Sequence, residues 1–567
     1  MPHKLKQLFI IMLHMTILSH SVLLAQTIRN FTLPVGPSYT FTEHIKPAAG
    51  YTFIGSYRFS LAANFPSTIL IIDEDGAPAF VKERTLGQGL LADFRVYDNG
   101  LMSYYRYDEL TDKGKYMVMD STFTIIDSVE CANGLKTDGH DMLILENGNY
   151  LILCLEEKIM DLRTLTTDDG FAGLANGTVV APVIQELDAN RNVLFGWHGL
   201  QYYTFADVNT YFFLDPDFLD FGHPNALTID LDGNILMSLR FFNEITKINR
   251  ADSSIVWRLG GKSNDFTFVN DAQPFTTQHH CTILPNGNLT LYDNSELGTT
   301  PRPRGVEYEL NIANMTATNV WEYANDTSRF SYSLGSMDRI GTNGNSVINW
   351  GAGYNPGFEN DIVEVTYDGN LVSEFDWPQD YFAYKAYKRT PIWSLEALRP
   401  TITCDTIQGA TTLTATAGYS SYLWNTGDTT QTITINQLGS YYVMVSNLDE
   451  KGYFGSRMKT IVDLSNPCFE PDTTTDTTSV FNPLEPSAQF KLYPNPAQNS
   501  LTLANYGHTG QEHLALYNAL GAAVFNQALI VEGSPINVAE LPNGSYVGVI
   551  TNVEGKLVKR FKFIVLH

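Results

Sequence analysis

Between about residues 50 and 378, apolar and polar residues alternate in short runs that stop at a glycine turn and resume beyond it. Alternation of this kind marks a strand with one buried face, and an Asn-Gly or Asp-Gly turn between two such runs marks a hairpin. "FRVYDNGLMSYYR", "HDMLILENGNYLIL", "HPNALTIDLDGNILMSLR", "HHCTILPNGNLTLYDN" and "MDRIGTNGNSVINW" all follow this pattern. A second hairpin closing on an aromatic residue accompanies it, as in "VIQELDANRNVLFGWHG", "ITKINRADSSIVWRLGG", "VEYELNIANMTATNVWEY" and "IVEVTYDGNLVSEFDW". Two hairpins make one four-stranded antiparallel sheet. The turn glycines recur at roughly 50 to 85 residues, the repeat of propeller blades joined by loops. With "YTFIGSYRFS…STILIIDEDGAPAFV" as a first, less regular unit, the blades number six. The pattern predicts an all-β chain with a six-bladed β-propeller over residues 26–400.

Past Trp393 the pattern changes. Residues 401–468 contain short strands, a Trp in "SSYLWNTGD" and the G-x-Y-x-V-x-V run "GSYYVMV", which predict a small Ig-like sandwich. Residues 469–488 are a Thr- and Pro-rich linker, and residues 489–567 form a further small β unit. At the other end, Lys4 and Lys6 precede an apolar run that closes on Ala25, so residues 1–25 read as a secretory signal peptide. No other stretch is long and apolar enough to serve as a membrane span.

Charge and cysteine content narrow the partners. A net charge of −25 excludes nucleic acid, which requires clustered Lys and Arg. An anionic substrate would need a locally positive pocket. Of the five cysteines, Cys404 and Cys468 bracket the small sandwich and suit a disulfide in an exported protein. The pairing of Cys131, Cys154 and Cys281 stays open. There is no CxxC, which argues against a thiolate zinc site.

The candidate chemistry emerges when the turns are aligned. Eight residues before the turn glycine stand His140 (from Gly148), Asn225 (from Gly233) and His279 (from Gly287). His223 lies two residues before Asn225, on the same face if the strand alternates regularly. Arg240 lies seven residues past Gly233, back at the level of His223 and Asn225; the equivalent in the next unit is Asn294. Equivalent positions in successive blades surround one axis, so these groups should converge. Ala92 and Ser336 occupy the same place elsewhere, so the fold does not itself require a histidine there. Three imidazoles could hold zinc, but Arg240 would set a fixed positive charge beside the ion, and no carboxylate recurs at the equivalent positions. A guanidinium, an amide and imidazoles suit a tetrahedral oxyanion instead, a sulfuryl or phosphoryl group. Alternation turns His280 away from His279, which gives it a structural role. Tyr104, Tyr105, Tyr107, Trp197, Trp257 and Tyr292 lie near strand ends, for blade packing or for stacking on an aromatic substrate.

"GHD", "FGHPNALTIDLDGNILMSLRFFNEITKINRADSSIVWRLGG" and "FTTQHHCTILPNGNLTLYDN" resemble the arylsulfate sulfotransferase family, six-bladed propellers that move sulfate between phenols without a nucleotide donor. The resemblance runs from about 130 to 380. It implies His279 as nucleophile, with His140, His223, Asn225 and Arg240 binding sulfate and stabilising charge. It implies an aryl sulfate and a phenol as small-molecule partners and no cofactor. Residues 26–50 are too short for the N-terminal sandwich of some family members. "FKLYPNPAQNSLTL", "LALYNALGAAVFNQ" and "LPNGSYVGVITNVEGKLVKRFKFIV" resemble the C-terminal sorting domain of type IX secretion substrates, which implies the type IX machinery as a partner and a secreted or cell-surface location. Two other readings compete: a non-catalytic surface propeller binding sulfated, phenolic or glycan ligands, and a metal-dependent hydrolase.

Overall fold

The computed structural model describes residues 26–57, 66–84, 89–297, 301–324, 331–341, 344–352, 361–378, 381–407, 410–447, 452–463, 468, 491–493, 499–504, 513–517, 523–528, 535–542, 544–551 and 557–565. The expected signal peptide and linker lie outside the described residues. Apart from short 3-10 turns, all regular structure among the described residues is strand. No helix among them is long and apolar enough to cross a membrane.

Among the described residues from 51 to 389, six sheets follow one another, each with four antiparallel strands. The second is Leu91–Val96, Met102–Asp108, Lys113–Met119 and Ile125–Val129, each strand paired to the next. The third runs from Lys136–Ile144 to Val193–His198, the fourth from Pro224–Ile229 to Ile255–Gly260, and the fifth from His279–Ile283 to Thr316–Ala324. The innermost strand of each touches the innermost strand of the next, and the contacts close into a ring, the arrangement of a propeller.

Closure uses both ends of this region. The innermost strand of the first sheet is Phe382–Arg389, the last in sequence, which pairs with Tyr51–Tyr57 from Tyr57 to Tyr51. Thr27–Phe31 and Tyr39–Glu43 extend the outer edge of the sixth sheet through Leu371–Asp376, so residues 26–50 form no separate sandwich.

Alternation in the sequence becomes apolar layers between sheets. Leu151, Leu153 and Trp197 of the third sheet pack with Leu227, Met237 and Leu239 of the fourth, all buried. Leu236, Ile245 and Trp257 on the opposite face pack with Leu289, Leu291 and Tyr308 of the fifth. Burying one such aliphatic side chain contributes about 1.5–3 kcal/mol. Near the axis the layers give way to an ionic cluster. Asp141 accepts from Arg95 at 2.6 Å, from Lys385 at 3.1 Å and from the Leu227 amide at 3.0 Å.

Residues 402–461 pack around buried Trp424, whose Nε1 donates to the Thr430 carbonyl at 2.8 Å. Their strand Tyr453–Gly455 pairs with Pro78–Arg84, so this segment continues the first sheet outward. Disulfides join Cys404 to Cys468 and Cys131 to Cys154, while Cys281 is a buried free thiol. Described by itself, the C-terminal unit has, among its described residues, two sheets around Leu501, Leu514, Leu516 and Ile550.

Candidate active site

The inner hairpins of the second to fifth sheets slip register at equivalent places. The slips fall between Ala92 and Arg95, Thr137 and Met142, Pro224 and Ala226, and His279 and Thr282. A bulge bends its strand and re-aims the side chains beside it, and here it recurs where the candidate residues stand. Asp93, His223 and His280 have φ of 45°, 52° and 50°, left-handed values that non-glycine residues seldom adopt. Regular alternation therefore fails for His223. It precedes its strand, which begins at Pro224, and does not share a strand face with Asn225.

Each histidine is held at Nδ1 by a different neighbour. His140 meets Asp138 at 2.8 Å and His223 meets Asp220 at 2.6 Å. His279, only 1% exposed, meets the side-chain oxygen of Asn294 at 2.7 Å. The His140 and His223 rings stand edge to face, 4.9 Å between centroids. The Leu334 amide donates to His279 Nε2 at 3.2 Å. Lys385 and the Tyr384 hydroxyl donate to the His140 carbonyl at 2.7 and 3.1 Å, fixing that backbone.

Arg240 closes the hairpin as its spacing predicts, its amide donating to the His223 carbonyl at 3.0 Å. Its guanidinium donates to Glu296 at 2.8 Å and to the Tyr332 carbonyl at 2.5 Å, and lies over the rings of Phe212 and Phe241. Phe212 stacks on Phe241 at 4.3 Å, and Phe241 stacks on His223 at 4.6 Å. Asn225, fully buried, commits its Nδ2 to the Gln278 carbonyl at 2.7 Å, which steadies the residue preceding His279.

These surroundings split the histidines electrostatically. Burial works against the imidazolium of His140, but the Asp138 carboxylate outweighs it and lifts the pKa above 6.5. For His279, burial acts with the charge of Arg240, and the pKa falls well below 6.5. That coupling places His279 within electrostatic reach of Arg240, His223 and His140.

The model of the arylsulfotransferase family matches residues 52–388, more than half of the chain. The chain belongs to the arylsulfotransferase family. A model described as a secretion system C-terminal sorting domain matches residues 491–565, which marks the protein for export to the cell surface or for secretion. No curated protein matches the chain. Among solved structures, a Bacteroides caccae protein of unknown function is 12% identical, with 60% of this chain and 99% of that one covered and a TM-score of 0.38. A catalytically inactive virginiamycin B lyase from Staphylococcus aureus with quinupristin is 9% identical, with 62% and 100% covered and a TM-score of 0.30. The Myceliophteria thermophila Cps50 (Swd1) β-propeller domain is 8% identical, with 62% and 88% covered and a TM-score of 0.31.

In this arylsulfotransferase-family chain, His140 also lines a cavity of about 280 Å³ with Leu90, Tyr105, Tyr107, Leu334 and Tyr384. Of the aromatics expected near strand ends, Tyr104, Trp197, Trp257 and Tyr292 are buried core residues, and only Tyr105 and Tyr107 face this cavity. His280 is buried, with Nδ1 on the Met337 carbonyl at 2.8 Å. Asp138, Asp220 and Glu296 are partners that spacing did not single out, and spacing marked Asn294 only as the counterpart of Arg240, not as the partner of His279. Asp138 and Asp220 stand two and three residues before their histidines, so the expectation that no carboxylate recurs holds only when positions are matched rigidly. Among the described residues, no three His, Cys, Asp or Glu side chains are grouped as metal ligands would be.

Proposed function

We propose that this chain transfers a sulfuryl group from an aryl sulfate to a phenol through a sulfohistidine at His279. The observation that carries this reading is a buried imidazole whose Nδ1 is occupied by an amide oxygen and whose protonation is opposed by burial and by the charge of Arg240. The Nε2 lone pair attacks sulfur, the bond between sulfur and the aryl oxygen breaks, and its electron pair leaves on the phenolate. His140, whose protonated form Asp138 favours, gives that oxygen a proton. In the second half His140 takes the proton of the acceptor phenol, whose oxygen attacks sulfur and returns the electron pair to Nε2. Arg240 and His223 face the charge on the sulfuryl oxygens. The Leu334 amide must leave Nε2 before sulfur can approach. The cavity beside His140 is the reading's place for the aryl ring, and the C-terminal unit is its address for the type IX machinery.

The test is mass analysis after exposure to a chromogenic aryl sulfate. One sulfuryl group on the peptide carrying His279, discharged by added phenol, is the expected result. No phenol release by the intact protein would favour a binding propeller and end the enzyme reading.

The two pKa directions set a pH profile. His279 must be neutral, so kcat/KM for phenol release falls with acid, through a midpoint below 6.5. His140 must be protonated, so the rate falls with alkali, through a midpoint above 6.5. Initial rates between about pH 5 and 9 should trace this bell. Asp138→Asn should bring the alkaline limb down and leave the acid limb in place.

A further inference from the structure

The reading above requires one nitrogen of His279 to carry the lone pair, and the geometry points to Asn294 as the positioning residue that selects it. Asn294 is fully buried. Its Nδ2 faces three oxygens: the Ser331 carbonyl at 3.3 Å, the Ser331 hydroxyl at 3.2 Å and the Leu334 carbonyl at 3.0 Å. The carbonyls can only accept. The Ser331 hydroxyl spends its one proton on the Ser333 carbonyl at 3.0 Å, so towards Asn294 it too can only accept. The amide therefore cannot be turned over, because its oxygen would then face three acceptors. With Nδ2 so fixed, Oδ1 must be the atom at His279 Nδ1, and Oδ1 only accepts. The proton is on Nδ1 and the lone pair on Nε2. An independent contact agrees, since the Leu334 amide on Nε2 can only donate.

An amide here differs from the carboxylates used beside the other two histidines. Asp138 and Asp220 also engage Nδ1 of their rings, but the Asp138 carboxylate stabilises the His140 imidazolium as well, an effect that would quench a nucleophile. Asn294 orients without adding charge. The same side chain holds the Leu334 carbonyl, so one residue fixes both the ring and the backbone that covers it.

The inference rests on the proposed function, and its test separates the two. In Asn294→Asp, nearly the same shape with a charge added, the acid limb of kcat/KM should move up by about one pH unit or more, slowing the reaction about tenfold on that limb, with recovery at higher pH. A change that merely loosened packing would lower the rate at every pH. A folded Asn294→Asp protein whose acid limb overlays that of the unaltered protein overturns the inference, while the reading of His279 stands if His279→Gln is inactive. Should the variant not fold, nitrogen-15 NMR of the histidine-labelled natural protein, with His279→Gln to identify the resonances, decides the matter. A proton on Nδ1 of His279 is expected, and one on Nε2 overturns the inference, whether or not an aryl sulfate is turned over.

Discussion

His279→Ala is expected to lower kcat for phenol release on the order of a millionfold, the scale on which a covalent mechanism loses its nucleophile. No neighbouring group can take over. His280 is adjacent in sequence but has a left-handed backbone and directs Nδ1 to the Met337 carbonyl. His140 carries a carboxylate at Nδ1 that favours its protonated ring, which cannot attack, and the Nδ1 of His223 is engaged by Asp220. Rates with an aryl sulfate and a phenol acceptor, read alongside the mass of the protein, check the point. Phenol release should vanish together with the sulfuryl adduct, while thermal unfolding confirms that the variant folds. Release at the natural rate would remove His279 from the chemistry and leave the anion pocket without a covalent role.

The repeat was legible because hairpin geometry is local. Eight residues before a tight turn is a fixed distance along a strand, so the turn glycines located His140 and His279, and seven residues after one located Arg240 beside the His223 backbone. The sheet layers were legible for the same reason, since alternation fixes which side chains face the next sheet. The bulges were not legible. They insert residues without a marker in composition, and they take His223 off the strand on which period-two reasoning placed it. Closure was hidden as well. Nothing in "FAYKAYKR" distinguishes a strand that completes the first sheet from one that begins another. Cys131 and Cys154 lie on segments whose proximity follows from hairpin register, which the spacing of cysteines does not reveal. The carboxylate partners escaped because each histidine takes its Nδ1 partner from a different offset, two residues back for His140 and three back for His223; Asn294, fifteen residues past His279, was located by spacing, but its bond to that ring was not.

Arg240→Ala is expected to slow transfer by about two to three powers of ten, some 3–4 kcal/mol, the cost of losing one preorganised donor to a developing oxyanion. Charge alone does not account for the whole effect. The guanidinium lies over Phe212 and Phe241 while bonding Glu296 and the Tyr332 carbonyl, an arrangement that needs a planar, forked cation. Arg240→Lys should therefore recover only part of the rate. The same substitution acts on the nucleophile from a distance. After burial, the Arg240 charge is the largest influence holding His279 unprotonated, so its removal lets the pKa of His279 rise towards the ordinary value. The acid limb of the pH profile should then move up in Arg240→Ala and stay in place in Arg240→Lys. Two losses are thus separable in one experiment: a lower plateau reports the missing hydrogen bonds, and a displaced limb reports the missing charge. A lower plateau with an unmoved limb would show that Arg240 meets the sulfuryl group but does not govern His279. An unmoved plateau would place the anion elsewhere in the pocket.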